Sequence, residues 1–140
     1  MQQAKITVEG ISRSREGASR LEVTSFGTYA EKNGSHYVRY EETEASGMAG
    51  TTTVIKWDAA QVSLIRHGAY EMRQEFAEGS RYACDYRTPY LSIPLETVTK
   101  KVRVRKVSCG WELRMEYDLA YAAADMNRIT TVIKVDLRNR

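Results

Sequence analysis

Arg66 is the side chain in this sequence best placed to do chemistry inside a fold. It follows Val62 and Leu64 at a spacing of two. A strand that turns those apolar residues inward therefore turns Arg66 inward too. A guanidinium in an apolar setting needs an opposite charge or an acceptor. Its planar fork suits a carboxylate or phosphate, which would make it a clamp for an anionic ligand. The competing reading is a structural ion pair with Glu42, which lies in phase with Val38 and Tyr40. Tyr40, Tyr86, Tyr117 and Tyr121 are expected on the same interior. Buried hydroxyls need partners. Either these line a polar lumen for a small ligand, or they fill a core and bond to backbone carbonyls.

The remaining reactive side chains read more plainly. Lys100-Lys101-Val102-Arg103-Val104-Arg105-Lys106 is the one dense charge run. It could track phosphates, but Val102 and Val104 alternate with Arg103 and Arg105, which is the pattern of an amphipathic strand with a solvated face. Glu41 and Glu42 are adjacent, so on a strand they point to opposite faces and do not form a carboxylate pair. His36 and His67 are the only histidines and Cys84 and Cys109 the only cysteines. Their spacing requests no metal, and Cys84, between Tyr82 and Tyr86, reads as an inert core thiol. No nucleophile elbow, metal-binding histidine pair or phosphate loop is present. Neither a catalytic residue nor a cofactor is expected.

These side chains need a scaffold, and 140 residues suffice for one domain over 1–140. At this length about two-thirds of the surface can be buried. Nine tyrosines stand against two phenylalanines and two tryptophans. The net charge of +3 is mild, so nucleic acid is not an expected partner. No apolar run is long enough for a membrane helix or a signal peptide, and a cytoplasmic location is expected.

Nearly every segment alternates with period two. Ile6 and Val8 mark one strand, and Leu21 to Tyr29 a second. Asn33-Gly34 then supplies a hairpin turn. Val38 to Glu42, Thr53 to Trp57, Val62 to Arg66, Tyr70 to Phe76 and Tyr82 to Tyr86 follow. The runs 90–107, 111–121 and 129–137 complete nine or ten strands, with no convincing helix. Sequential hairpins favour an antiparallel up-and-down meander closed into a barrel. In the last hairpin, opposite charges favour pairing positions that sum to 250, with Glu116 opposite Lys134, Arg114 opposite Asp136 and a loop near 123–127. In the run 90–107 the inward phase changes from Leu91, Ile93 and Leu95 to Val98, Val102 and Val104, which implies a bulge near 95–98. For the hairpin 98–107/111–119, pairing sums of 217 and 219 remain open.

Several fragments in order carry a resemblance: Tyr37-Val38-Arg39-Tyr40-Glu41-Glu42, Val62-Ser63-Leu64-Ile65-Arg66-His67-Gly68, Phe76-Ala77-Glu78-Gly79, Tyr86-Arg87-Thr88-Pro89-Tyr90, Thr99 and Tyr117-Asp118-Leu119. From about residue 20 onward the chain resembles the YwiB-like family. The resemblance implies a small bacterial protein of unknown function with a calycin-like, lipocalin-like β-barrel. Leu91 stands where that family usually has Gly after Thr-Pro-Tyr. The family supplies no catalytic residues.

The expected function is a non-enzymatic barrel that binds a small anionic or amphipathic ligand in its lumen. The expected contacts are Arg66, Glu42, Tyr40, Tyr86, Thr88 and Tyr117. The alternative is a filled structural barrel that serves as a protein-interaction or homodimerisation module.

Overall fold

The computed structural model describes residues 2–14, 17–121 and 125–138. The backbone follows the period-two pattern through ten antiparallel strands. These are β1 (Gln2–Ser14), β2 (Gly17–Lys32), β3 (Ser35–Glu41), β4 (Thr51–Trp57) and β5 (Val62–Gly68), then β6 (Met72–Phe76), β7 (Arg81–Arg87), β8 (Ser92–Val107), β9 (Gly110–Tyr121) and β10 (Asp125–Asp136). A short 3-10 turn at Glu44–Ser46 is the only helical element among the described residues. Asn33 and Gly34 both take positive φ, 54° and 81°, as a tight β2–β3 hairpin requires.

Each strand pairs with its sequence neighbour except across β6 and β7, and β1 pairs with β10. The meander is therefore an antiparallel up-and-down barrel, nearly closed. Its seam runs between β6 and β7. One end of the seam is stitched by mutual backbone hydrogen bonds between Glu71 and Arg87, at 2.8 and 2.9 Å. Gln74 Nε2 donates to Thr97 Oγ1 across it at 3.2 Å. Near the next turn, Gly79 N–H donates to the Thr99 carbonyl and Thr99 N–H to that of Ser80, both at 3.0 Å.

The interior is packed with Ile6, Val38, Ile55, Trp57, Val62, Phe76, Leu113, Met115, Ile133 and Val135, all essentially without solvent contact. Its buried polar residues are mostly not tyrosines. Thr51, Thr53, Thr97, Thr99 and Thr131 supply many of them, with Ser25 and Gln74. Threonine suits these positions because it is β-branched and can return its hydroxyl to a nearby acceptor.

Two expectations about register need correction. β9 and β10 pair with a sum of 246, placing Glu112 opposite Lys134, Asp118 opposite Arg128 and Arg114 opposite Val132. The expected sum of 250 is wrong; of the expected loop 123–127, Asp125 to Asn127 are strand, and 123 and 124 lie outside the described residues. The observed register avoids like charges as well as the expected one did. It also forms the Arg128–Asp118 ion pair, at 2.5 Å with the carboxylate largely buried, to which the expectation gave no weight. The bulge in β8 is present but later, where Lys100 interrupts the pairing between Thr99 and Lys101. Leu95, Thr97 and Thr99 face inward before it and Val102 and Val104 after it, so Val98 is not a core position. Beyond the bulge the pairing sum is 217, which sets Arg105 opposite Glu112.

Gly27 marks where β2 parts from β3. The two strands pair only from Gly27 to Lys32, and Gly17–Phe26 pairs with β1 alone. A Cβ at Gly27 would lie 2.1 Å from the Arg39 carbonyl oxygen, which is backbone and cannot yield cheaply. Gly27→Ala should therefore destabilise the protein by about 1–3 kcal/mol. Gly10→Ala, where nothing lies within 4 Å of the added atom, should cost nothing and can gain from the lost backbone entropy of the unfolded chain. Urea melts of the two variants check this, and equal midpoints would contradict it.

Candidate functional site

The parting of β2 from β3 leaves a crevice of about 130 Å³ at one end of the barrel. β1 and β2 supply Val8, Gly10, Leu21, Val23 and Ser25 to one wall. The end of β3 supplies Tyr40 and Glu42, and β5 supplies Arg66. Ser46 and Met48, from the segment joining β3 to β4, complete the lining. That segment is shaped by its own polar groups. Thr43 Oγ1 accepts from Ala45 N–H at 3.3 Å, and Gly47 ends the turn in the left-handed region at φ 77°.

The polar floor is a small charge network. Thr53 Oγ1 donates to Glu42 Oε2 at 2.5 Å. The same oxygen lies 3.8 Å from Arg66 Nε, with the Glu42 side chain almost wholly buried. That separation is an ion pair without a hydrogen bond. Arg66 Nε is itself buried and has no hydrogen-bond partner. Tyr40 is 4% exposed. Burial drives its phenol well above the usual tyrosine range, the Glu42 carboxylate pushes it the same way, and Arg66 opposes both.

Three of the six expected contact residues, Arg66, Glu42 and Tyr40, thus share the crevice. The other three do not line it. Tyr117 is buried in the barrel centre, its ring 4.8 Å from that of Phe76 and its hydroxyl 3.0 Å from Thr131 Oγ1. Tyr86 is half-buried on β7 beside Tyr70, with ring centroids 6.3 Å apart. Thr88 is a turn residue, whose hydroxyl accepts from Tyr90 and Leu91 N–H at 3.1 Å and donates to the Leu91 carbonyl. It sits where the family pattern departs at Leu91 and holds that turn together. The side chain of Tyr121 lies outside the described residues. Val8 on the first strand and Leu21 and Val23 on the second are legible as apolar strand positions but not as a lining, and Ser25 carries no signal of its own. Ser46 and Met48 carry no periodic signal.

At the opposite end of β3 a second cluster forms that the residue spacing did not indicate. The His36 ring packs against Trp57 and Trp111, with centroids 5.5 and 4.3 Å away. Its Nδ1 lies 2.7 Å from the Tyr29 hydroxyl. His67, on β5, is exposed and pairs with Glu71 at 3.5 Å. Among the described residues no three His, Cys, Asp or Glu side chains gather as a metal would need. The basic run of β8 is an amphipathic strand: Lys101, Arg103, Arg105 and Lys106 are exposed, while Val102 and Val104 pack on the core.

Residues 6–133 match the model of a known family, a domain of unknown function. The chain belongs to the DUF1934 family. The crystal structure of the ywiB protein from Bacillus subtilis is similar to this DUF1934 chain with a TM-score of 0.80. That match has 20% identity and covers 95% of this chain and 91% of that one, so it speaks to the fold. No curated protein matches the chain. Among the described residues no helix is long and apolar enough to cross a membrane.

The Tyr40 environment has a consequence for stability. An unfolded tyrosine releases its proton near pH 10, whereas the buried one retains it. Above about pH 10 the unfolded state therefore holds fewer protons than the folded state, and stability falls as pH rises. Tyr40→Phe should flatten that alkaline limb. Melting temperatures measured from pH 8 upward check it, and parallel limbs in the two proteins would refute the assignment.

Proposed function

We propose that this DUF1934 protein binds a small amphipathic ligand in the crevice at the barrel mouth, with a carboxylate or similar acceptor on Arg66. The observation that carries the reading is the Arg66 Nε–H, buried without an acceptor beside a cavity. A buried donor left unmade costs about 1–3 kcal/mol. The Arg66 side chain is 15% exposed where it lines the crevice, so a ligand oxygen meets the guanidinium there and takes the Nε–H once the fork turns toward it. Val8, Leu21, Val23 and Met48 supply apolar contact for the rest of such a molecule.

Glu42 limits the charge of the head group. It leaves the floor formally neutral, so a singly charged carboxylate or a polar neutral head fits better than a dianion. Tyr40 stays protonated, with its hydroxyl on Glu42, and adds its ring to the crevice wall. Cys84 and Cys109 are free thiols, which suits a ligand drawn from the reducing cytoplasm.

The test is thermal stabilisation by a matched probe series of hexanoate, hexanol and hexylamine. Hexanoate should raise the melting temperature of the wild-type protein and hexylamine should not. Arg66→Met should remain folded by circular dichroism and lose the hexanoate effect. Glu42→Gln should enhance it, because the competing carboxylate is gone. If Arg66→Met unfolds, or if hexanoate stabilises it as it does the wild type, the Arg66–Glu42 pair is structural and the reading fails.

A further inference from the structure

The part of β2 that leaves β3 exposes a strand edge. Gly17 to Phe26 pairs with β1 on one side, and among the described residues no strand pairs with it on the other. In the β2–β3 hairpin the even-numbered residues of β2 face β3. By the same alternation Ala18, Arg20, Glu22, Thr24 and Phe26 turn their N–H and C=O groups to the free edge. Large apolar residues are exposed here, with Leu21 at 62% and Phe26 at 66%. An edge of this kind is a template for another strand.

The chain treats its other long free edge differently. β7 covers β8 only over Ser92–Val98. The remainder carries Lys100, Lys101, Arg103, Arg105 and Lys106, so two copies of that edge would repel. Glu78 also accepts from the Val102 N–H at 3.1 Å and caps that edge. β2 has no such block. Its two charges between Gly17 and Phe26 are Arg20 and Glu22, of opposite sign.

Glu22 is left over within its own chain. Its cross-strand neighbour on β1 is Glu9, a like charge. Arg20 reaches diagonally to pair with Glu9, and among the described residues no ion pair forms to Glu22. From this we infer that a second copy of the chain pairs antiparallel with β2, about a two-fold axis at Leu21. In that register positions sum to 42, so Arg20 of each copy faces Glu22 of the other and Leu21 faces Leu21. The neighbouring register, summing to 44, would set Glu22 against Glu22. This inference does not depend on the ligand reading, and Arg66→Met should leave it unchanged.

Sedimentation velocity across a concentration series, with charge variants, tests it. The wild type should be a dimer. Glu22→Arg should weaken the dimer by about tenfold or more, because the introduced guanidinium would face Arg20 of the other copy. The same change sets a positive charge opposite Glu9 within its own chain, so at concentrations where both proteins are monomeric the melting temperature should not fall. Arg20→Glu should likewise weaken self-association. A mixture of the Glu22→Arg and Arg20→Glu proteins should restore a heterodimer, since every cross-strand pair is then of opposite sign. Leu21→Cys should form an interchain disulfide on oxidation, and Val23→Cys should not. A wild type that stays monomeric, a Glu22→Arg protein that dimerises as before, a mixture that stays monomeric, or a crosslink at position 23 in place of 21 would each overturn the inference.

Discussion

The backbone ladder between β1 and β10 is the constraint on which the rest of the structure depends. It joins Lys5–Arg13 to Arg128–Asp136, segments at opposite ends of the sequence. Without it the ladders would fall into two sheets, β1–β6 and β7–β10, with β1 and β10 as open edges and an apolar face of each toward water. With it, Ile6 on β1 and Ile133 and Val135 on β10 pack into one interior with Val38, Ile55 and Leu113. The ladder closes a loop of well over a hundred residues. Loop-closure entropy grows only slowly with length, so the equilibrium cost is modest. The kinetic consequence is larger, since contacts so far apart in sequence are characteristic of slow-folding β proteins.

Closure on that side leaves three irregularities elsewhere in the barrel. The bulge at Lys100 lets β8 turn one face to the core near Leu95 and the opposite parity near Val102. The seam between β6 and β7 is held by a few hydrogen bonds in place of a ladder. Between β2 and β3, the strands part at Gly27, where the Arg39 and Tyr40 backbone and side-chain atoms approach too closely for any Cβ. One divergence thus has two products. It opens the crevice over Arg66, and it bares the β2 edge from Gly17 to Phe26.

Polarity inside the barrel comes from small side chains more than from phenols. A tyrosine-rich composition suggests a lumen lined with phenols, but among the described side chains only Tyr40 and Tyr117 are deeply buried tyrosines. Tyr90 is 87% exposed. The hydroxyls within the barrel are largely those of threonines that share inward faces with Leu95, Ile55 and Ile133. Such residues fit a strand's branched packing, and Thr51, Thr53, Thr97 and Thr131 each find a hydrogen-bond partner, whereas the Thr99 hydroxyl is buried without one. Charge enters at one place, where Glu42 and Arg66 meet at the rim. Thr53 takes one of Glu42's acceptor sites, and the guanidinium is left short of a partner.

The sequence by itself determined the strands, the hairpin at Asn33-Gly34 and the inward parity of most strands, though in 90–107 Leu91 is exposed and Val98 lies off the core. Each depends on residues near one another, through alternation of side chains or tolerance of positive φ. It also placed Arg66, Glu42 and Tyr40 on a common interior, because parity alone decides that. Only the tertiary structure decided the register of β9 with β10. Sums of 246, 248 and 250 preserve every inward residue, and exposed cross-strand pairs differ by less than about 1 kcal/mol. The observed register is the one that sets Asp118 opposite Arg128, where the two form an ion pair. Tertiary structure also separated Tyr86, Thr88 and Tyr117 from the Arg66 crevice, and gathered Tyr29, His36, Trp57 and Trp111 from four strands. Period-two reading says which face a residue occupies. How far along the barrel it lies depends on closure, shear and the bulge at Lys100, which are properties of the whole sheet.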